Sequence, residues 1–148
     1  MRVVDQRRRA GAPSLSMELP MADHELGSAA EQPLWESMHG LMREGLDQLP
    51  LPGLGNTIGR WRMLSRVASE DLSLAKVFEG QTDALAILAE LAPDRPTSAG
   101  IWGVWAAESS NACVSIASRD GLAATLVGTK LWCSGAATCD HALVTCWA

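Results

Sequence analysis

The chain has 148 residues, enough for one ordinary domain or two small ones, and its 47% apolar content supports a packed core and argues against wholesale disorder. The net charge of −5 argues against a nucleic-acid partner, because phosphate backbones attract basic surfaces. No segment approaches the ~20 apolar residues of a membrane span, and the first residues lack the apolar core of a secretory signal, so we expect a cytoplasmic protein without a membrane partner.

The first half of the chain has a helical pattern. Residues 1–30 are rich in Pro, Gly, Ser and charged side chains without any period, and we interpret them as a flexible arm. From Pro33, which suits a first helical position, apolar residues recur at three- and four-residue steps up to Leu49, which predicts a helix that the following prolines stop. Thr57 can cap a second helix. A third predicted helix, over about 71–91, is apolar nearly all round and should be central in its bundle.

After Gly100 the period changes to two, which is typical of strands. Five strand-like runs follow, with the turn signal Asp120-Gly121 between the second and the third: 101–107, 113–118, 122–127, 130–134 and 142–148. Helices first and strands afterwards favour separate α and β layers or domains over alternating βαβ units. We therefore predict an α+β protein whose two halves meet between residues 92 and 99.

Common catalytic and metal-binding motifs do not match this sequence. The loop Gly53-Leu54-Gly55 lacks the third glycine of a dinucleotide fingerprint, because Ile58 occupies that position, and no strand precedes it. Glu108 ends an apolar run where an acid can be partly buried, but capping a turn or pairing with a base is the commoner role. Four residues could be imagined around a metal, yet their spacing fits no ligand pattern and favours reduced thiols without a metal: Cys139, Asp140, His141 and Cys146.

Trp132 stands at the start of a more suggestive stretch. The chain has six tryptophans, and the usual role of such residues is to fill the core. Trp132, however, is followed by Cys133, Ser134 and Gly135, which are small or flexible. A large ring beside a hydroxyl and an approachable backbone suits a flat ligand, so this stretch indicates an aromatic cofactor.

The same stretch carries a family resemblance. Residues 128–136, GTKLWCSGA, followed by 140–144, DHALV, resemble the G-x-K-x-W strand, short loop and next strand of the middle β domain of acyl-CoA dehydrogenases. Residues 107–109 fall where that family has its T-E-P strand end, and residues 71–80 resemble a D-x-S-x-A helix of its N-terminal domain. The resemblance covers about 33–148. It implies an N-terminal α-helical bundle over 31–97 and an incomplete antiparallel β-barrel or sandwich domain, binding flavin, over 98–148.

The resemblance also implies a cofactor, a substrate and site residues. The family uses FAD to oxidise an acyl-CoA thioester by α,β-dehydrogenation, and we expect a homo-oligomer for the complete protein. Trp132 would flank the isoalloxazine ring, and Ser134 would hydrogen-bond near its reactive nitrogen. The backbone around Ala106 and Ala107 would meet the pyrimidine end of the flavin. The family's G-S-D element, which touches pyrophosphate and substrate, has no clear counterpart here, and Ser110-Asn111 offers the nearby candidates.

Two alternative functions follow from the lack of an assignable general base. In the family, that base is a glutamate that usually lies in a C-terminal four-helix domain, and no residue of this sequence can be assigned to it by motif. We therefore expect an N-terminal portion of such a flavoprotein. One alternative is a non-catalytic truncated remnant or subunit that contributes an interface or part of a flavin site to a partner. The other is a flavin monooxygenase built on the same scaffold.

Overall fold

The structure, a computed structural model, describes residues 2–5, 28–94, 96–109 and 112–148. In these ranges the chain forms three helices, α1 (Ser28–Arg43), α2 (Thr57–Glu70) and α3 (Leu72–Leu91). It also forms five strands in two small open sheets: β1 (Arg2–Asp5), β2 (Trp102–Trp105), β3 (Val114–Asp120), β4 (Ala123–Gly128) and β5 (His141–Val144). The prediction of a mixed α+β fold is confirmed. None of the described helices is both long enough and apolar enough to cross a membrane.

Local hydrogen bonds from nearby residues cap α2 and α3. Asn56 caps α2, because its side-chain oxygen accepts a hydrogen bond from the backbone N–H of Gly59 at 3.1 Å. Thr57, the predicted cap, is already the first helical residue. Asp71 caps α3 by accepting a hydrogen bond from the N–H of Leu74 at 2.8 Å. Its extended backbone (φ −157°) lets one residue end α2 and start α3.

The bounds of α1 differ from the predicted ones at both ends. The helix begins five residues before Pro33, which therefore lies inside it and removes one helical hydrogen bond. It ends at Arg43, well before the prolines that were expected to stop it. Gly45, with φ 69°, closes the helix in a Schellman motif, in which the N–H of Leu46 donates to the carbonyl of Leu41 at 2.9 Å.

Two adjoining cores join the helices to the sheet. The first contains residues of all three helices and one residue that precedes β2: Met38, Val67, Leu74, Phe78 and Ile101. The second contains Ala84 of α3, Trp102 of β2 and Leu143 of β5. Because α3 contributes to both cores, it lies at the centre of the described part of the chain, as its nearly all-round apolar sequence predicted.

β5 is the central strand of a three-stranded sheet, in the order β1–β5–β2. It pairs antiparallel with β1, Arg2 lying opposite Val144, and parallel with β2, Trp102 lying opposite His141. The parallel pair is a departure from the antiparallel arrangement that the resemblance implied. β1 lies within the stretch that the composition predicted to be a flexible arm, and residues 6–27 of that stretch lie outside the described residues.

β3 and β4 form an antiparallel hairpin around Gly121 (φ 54°), as the Asp120-Gly121 turn signal predicted. The predicted strand over 130–134 is wrong, because the chain is irregular there and turns at 134–138. The physical reason is Trp132, whose φ of 57° is left-handed and interrupts an extended run.

Candidate functional site

A cleft of about 320 Å³ opens between α3, β2 and the irregular loop of residues 130–139. α3 contributes Lys76, Val77 and Gly80 to its wall, and β2 contributes most of the opposite wall. All four residues that the family resemblance associates with a flavin line this one cleft: Ala106, Ala107, Trp132 and Ser134. The structure therefore brings together two segments that are far apart in the chain, because β2 and β5 are neighbours in the sheet.

Trp132 is unusual in both its exposure and its backbone. Its side chain is 69% exposed, although tryptophan usually buries much of its area. Among the described residues it is the only one other than glycine with a positive φ, at 57°. Such a conformation costs about 1 kcal/mol or more and persists only where surrounding contacts hold it. Backbone strain of this kind clusters at active sites, ligand clamps and switch regions, which makes Trp132 a residue of interest at the cleft.

Lys130 holds the start of the loop that carries Trp132. Its side chain is only 7% exposed, and its ammonium group lies 3.7 Å from the carboxylate of Glu108. Nζ donates to the carbonyl of Thr145 at 3.1 Å and to its hydroxyl at 2.7 Å. The Thr145 hydroxyl is within donating distance of the Ala106 carbonyl (3.3 Å) and of Glu108 (3.4 Å). Glu108 therefore has one of the two roles that the sequence favoured for it, pairing with a base.

A second contact holds the loop at Ser134. The indole N–H of Trp105 donates to the carbonyl of Ser134 at 3.1 Å. The next residue, Gly135, has φ 73°, and a Cβ built there would lie 3.0 Å from the sulfur of Cys139 and 3.2 Å from the ring of Trp35. A side chain at Gly135 would therefore require the Cys139 thiol and the Trp35 ring to shift, and its positive φ would be strained for any residue other than glycine.

The two thiols of the loop are poor nucleophiles. Burial, followed by the nearby carboxylate of Asp140, raises the pKa of the Cys139 thiol to about 11. Burial also raises the pKa of Cys133, and the positive charge of Lys130 only partly opposes it. Because the thiolate is the reactive form, Cys139 lines the cleft as a small neutral residue at neutral pH.

The residues considered around a metal have contacts within the fold. Asp140 accepts a hydrogen bond from the N–H of Ile101 at 2.9 Å, and Nε2 of His141 lies 3.0 Å from the carbonyl of Ala99. The His141 ring also contacts the ring of Trp102, with centroids 4.5 Å apart. No set of three or more His, Cys, Asp or Glu side chains in the described ranges is arranged to hold a metal ion. These contacts tie the start of β5 to the segment before β2.

Some residues of the cleft were missed by sequence reasoning. Gly80 appeared only as a weak point of α3, whereas the structure sets it against β2, where a Cβ would lie 3.8 Å from the carbonyl of Trp102. A glycine inside a helix signals only a weak point of that helix, so the sequence carries no signal of this contact. Thr145 lies next to the cleft and carries no signal in the sequence, because its contacts are with residues distant in the chain, Lys130, Ala106 and Glu108.

Comparison with known proteins adds no assignment to this geometry. The chain matches no protein-family model, and it has no significant match among curated proteins or solved structures. Ser110 and Asn111, the candidates for a pyrophosphate-binding element, lie outside the described residues. The functional conclusion therefore depends on the cleft and on the sequence motif.

Proposed function

We propose that the cleft binds the isoalloxazine ring of FAD and that the chain is part of an acyl-CoA dehydrogenase-like oxidoreductase. One observation carries the proposal: two segments that the sequence motif associates with a flavin line a single cleft. The cleft volume of about 320 Å³ is also within the range of small-molecule sites, roughly 300–1,000 Å³.

The residues of the cleft fit a flat ring with polar edges. Trp132 offers an exposed aromatic face, against which a ring can stack. Ala106 and Ala107 are small and exposed, so a ligand can approach the backbone of this segment closely. Ser134 adds a hydroxyl at the same cleft. Bound FAD would supply the hydride chemistry, while these residues would bind and orient it.

The proposal assigns no residue to removal of the substrate's α-proton. Glu108 is the acid beside Ala106 and Ala107 in the chain, but its carboxylate lies 3.7 Å from the ammonium group of Lys130 and supports the loop. An acyl-CoA thioester as substrate and a homo-oligomer belong to the same proposal and follow from the resemblance alone, whereas the cytoplasmic location follows from the sequence pattern of the first residues and of the apolar segments.

The finer architecture is likewise part of the proposal. The resemblance assigns the helices to an N-terminal bundle over 31–97 and the later strands to an incomplete antiparallel barrel or sandwich over 98–148. The order of three helices followed by β2 to β5 supports this assignment. The parallel pairing of β2 with β5 is the observation that fits it least.

Titration of the purified protein with FAD and, separately, with riboflavin tests the proposal. We expect the flavin fluorescence to fall on binding, because the ring would stack on Trp132. Replacing Trp132 with Ala should weaken binding by about tenfold, since the loss combines a stacking contact with its buried area. Trp61→Ala is the matched control, because Trp61 is 60% exposed on α2 and does not line the cleft.

Two results would contradict the proposed flavin site. The first is a protein that binds neither FAD nor riboflavin at concentrations that saturate ordinary flavoproteins. The second is an equal loss of affinity in the Trp132 and Trp61 variants, which would assign the effect to general destabilisation.

A further inference from the structure

We propose that Lys130 is a positioning residue of the cleft, whose buried ammonium group holds the loop of residues 130–134 so that Trp132 and Ser134 face the ligand. This inference rests on the proposed flavin site. It begins from the contrast between the strained backbone of Trp132 (φ 57°) and the 69% exposure of its side chain. Packing of so exposed a ring cannot hold the backbone in that conformation, so the holding contacts must lie on either side of it.

The first holding contact is the Lys130 clamp, defined as Lys130, Thr145 and Glu108. The ammonium group donates two hydrogen bonds, to the Thr145 carbonyl at 3.1 Å and to its hydroxyl at 2.7 Å, and the Glu108 carboxylate forms an ion pair with it at 3.7 Å. With 7% exposure the group has little water to replace a lost partner. Charge-assisted bonds in such surroundings are strong and directional, and an unsatisfied donor there is costly.

The second holding contact is at the other end of the loop, where the Trp105 indole donates to the Ser134 carbonyl at 3.1 Å. Within the loop, the Cys133 thiol lies 3.3 Å from the Lys130 carbonyl, so the segment also has an internal contact. Only residues 131–133 lie between the two fixed points. Releasing the Lys130 clamp would free one end, and the chain at Trp132 would then relax from its left-handed conformation.

The clamp also connects the two walls of the cleft. Thr145 follows β5, and its hydroxyl lies 3.3 Å from the carbonyl of Ala106. The same ammonium group therefore fixes the Trp132 loop and, through Thr145, the Ala106 segment. Loss of the ammonium group should therefore change the conformation of the loop and also the distance between the two walls of the cleft.

Fluorine NMR of the full chain labelled with 5-fluorotryptophan tests this inference. The chain has six tryptophans, and the Trp132 line is assigned by its absence from a Trp132→Phe variant. The variants are Lys130→Met, Thr145→Val and the conservative Thr145→Ser, with Arg119→Met as a control that removes an exposed positive charge from β3. The same proteins are titrated with FAD.

We expect the Trp132 line to shift or broaden in Lys130→Met and Thr145→Val, and FAD to bind about tenfold more weakly, as for the loss of one hydrogen bond to a charged group. Thr145→Ser retains the hydroxyl and should match the wild type in both measurements, and so should Arg119→Met. If Lys130→Met does not fold, the Thr145→Val and Thr145→Ser pair decides the outcome.

An unchanged Trp132 line in Thr145→Val would overturn the inference, and so would a shift of all six lines together, which would indicate a global effect. A local shift of the Trp132 line with unchanged FAD affinity would overturn the positioning role. Failure of the proposed flavin site has a different signature: no protein of the series binds FAD, while the Trp132 line still moves in Lys130→Met and Thr145→Val.

Discussion

Lys130 and Cys139 belong to the same loop, and burial has different consequences for each. The ammonium group of Lys130 is surrounded by Thr145 and Glu108, so its charge is compensated at 7% exposure. Cys139 has no such compensation, because its charged neighbour is Asp140, which raises the thiol pKa further. At the scale of residues, the loop therefore contains one buried positive charge and one thiol that stays neutral.

The Cys139 thiol should react slowly with iodoacetamide. Because its pKa is raised to about 11, we expect Cys139 to be alkylated far more slowly than the exposed Cys113 at neutral pH. The Cys139 rate should keep rising until the pH approaches 11. Mass spectrometry of the alkylated peptides measures both rates, and equal rates at neutral pH would contradict the burial of this thiol.

The raised pKa of Cys139 also makes the stability of the folded protein depend on pH. The unfolded thiol loses its proton near 9.0 and the folded one near 11, so the folded state binds more protons between these values. The contribution of Cys139 to stability is therefore complete below 9.0 and is lost as the pH rises towards 11. The difference in urea midpoint between the wild type and Cys139→Ala should change in that direction over this interval.

At the scale of elements, α3 is joined to its neighbours by buried polar contacts as well as by its apolar face. Gln81, 2% exposed, accepts a hydrogen bond from the N–H of Trp102 at 2.7 Å. Its amide donates to Asp47, in the turn after α1, at 2.9 Å. Arg60 of α2 pairs with Asp83 of α3 at 2.6 Å. These contacts fix α3 relative to α1, α2 and β2, and so fix one wall of the cleft.

Gln81→Leu should destabilise the protein by about 2–5 kcal/mol, because it leaves the Trp102 N–H and the Asp47 carboxylate without their partner. The matched control is Gln48→Leu, at an exposed glutamine, which should change stability by no more than about 0.5 kcal/mol. Urea denaturation followed by circular dichroism measures both. Similar small effects in the two variants would show that the Gln81 bridge contributes little.

At the scale of the whole molecule, the helices and the three-stranded sheet share their cores. Phe78 of α3 is fully buried in the same cluster as Met38 and Ile101, and Trp102 and Leu143 pack together with Ala84 of α3. The residues on either side of the predicted boundary near 97 are thus parts of common cores. Removing one side would expose the apolar surface of the other.

We therefore expect a single unfolding transition, in which the helical circular dichroism and the tryptophan fluorescence change together. Phe78→Ala should move both signals to lower denaturant by the same amount, corresponding to about 3–5 kcal/mol. Leu72→Ala, at a residue that is 77% exposed, is the control and should change little. Two separate transitions would instead support independent domains over 31–97 and 98–148.

Sequence patterns predicted the elements that depend on near neighbours. α3 agrees with its predicted bounds, because Asp71 caps it locally and its apolar residues repeat along one segment. The hairpin turn at Gly121 also agrees. The predicted strand over 130–134 failed because an apolar, alternating run does not reveal the left-handed backbone of Trp132, which interrupts it.

The chain's composition, periods and short motifs were sufficient for the α+β class and for α2 and α3, because these signals act over a few residues; the flavin roles of the four candidate residues stay a prediction from the family resemblance. Tertiary contacts were needed for the parallel pairing of β2 with β5, for the cleft between them and α3, and for the conformation of Trp132. The physical reason is that each of these depends on which distant side chain satisfies a buried charge or covers an apolar face. At the cleft of this protein, the hydrogen bonds from Lys130 to Thr145 are contacts of this kind.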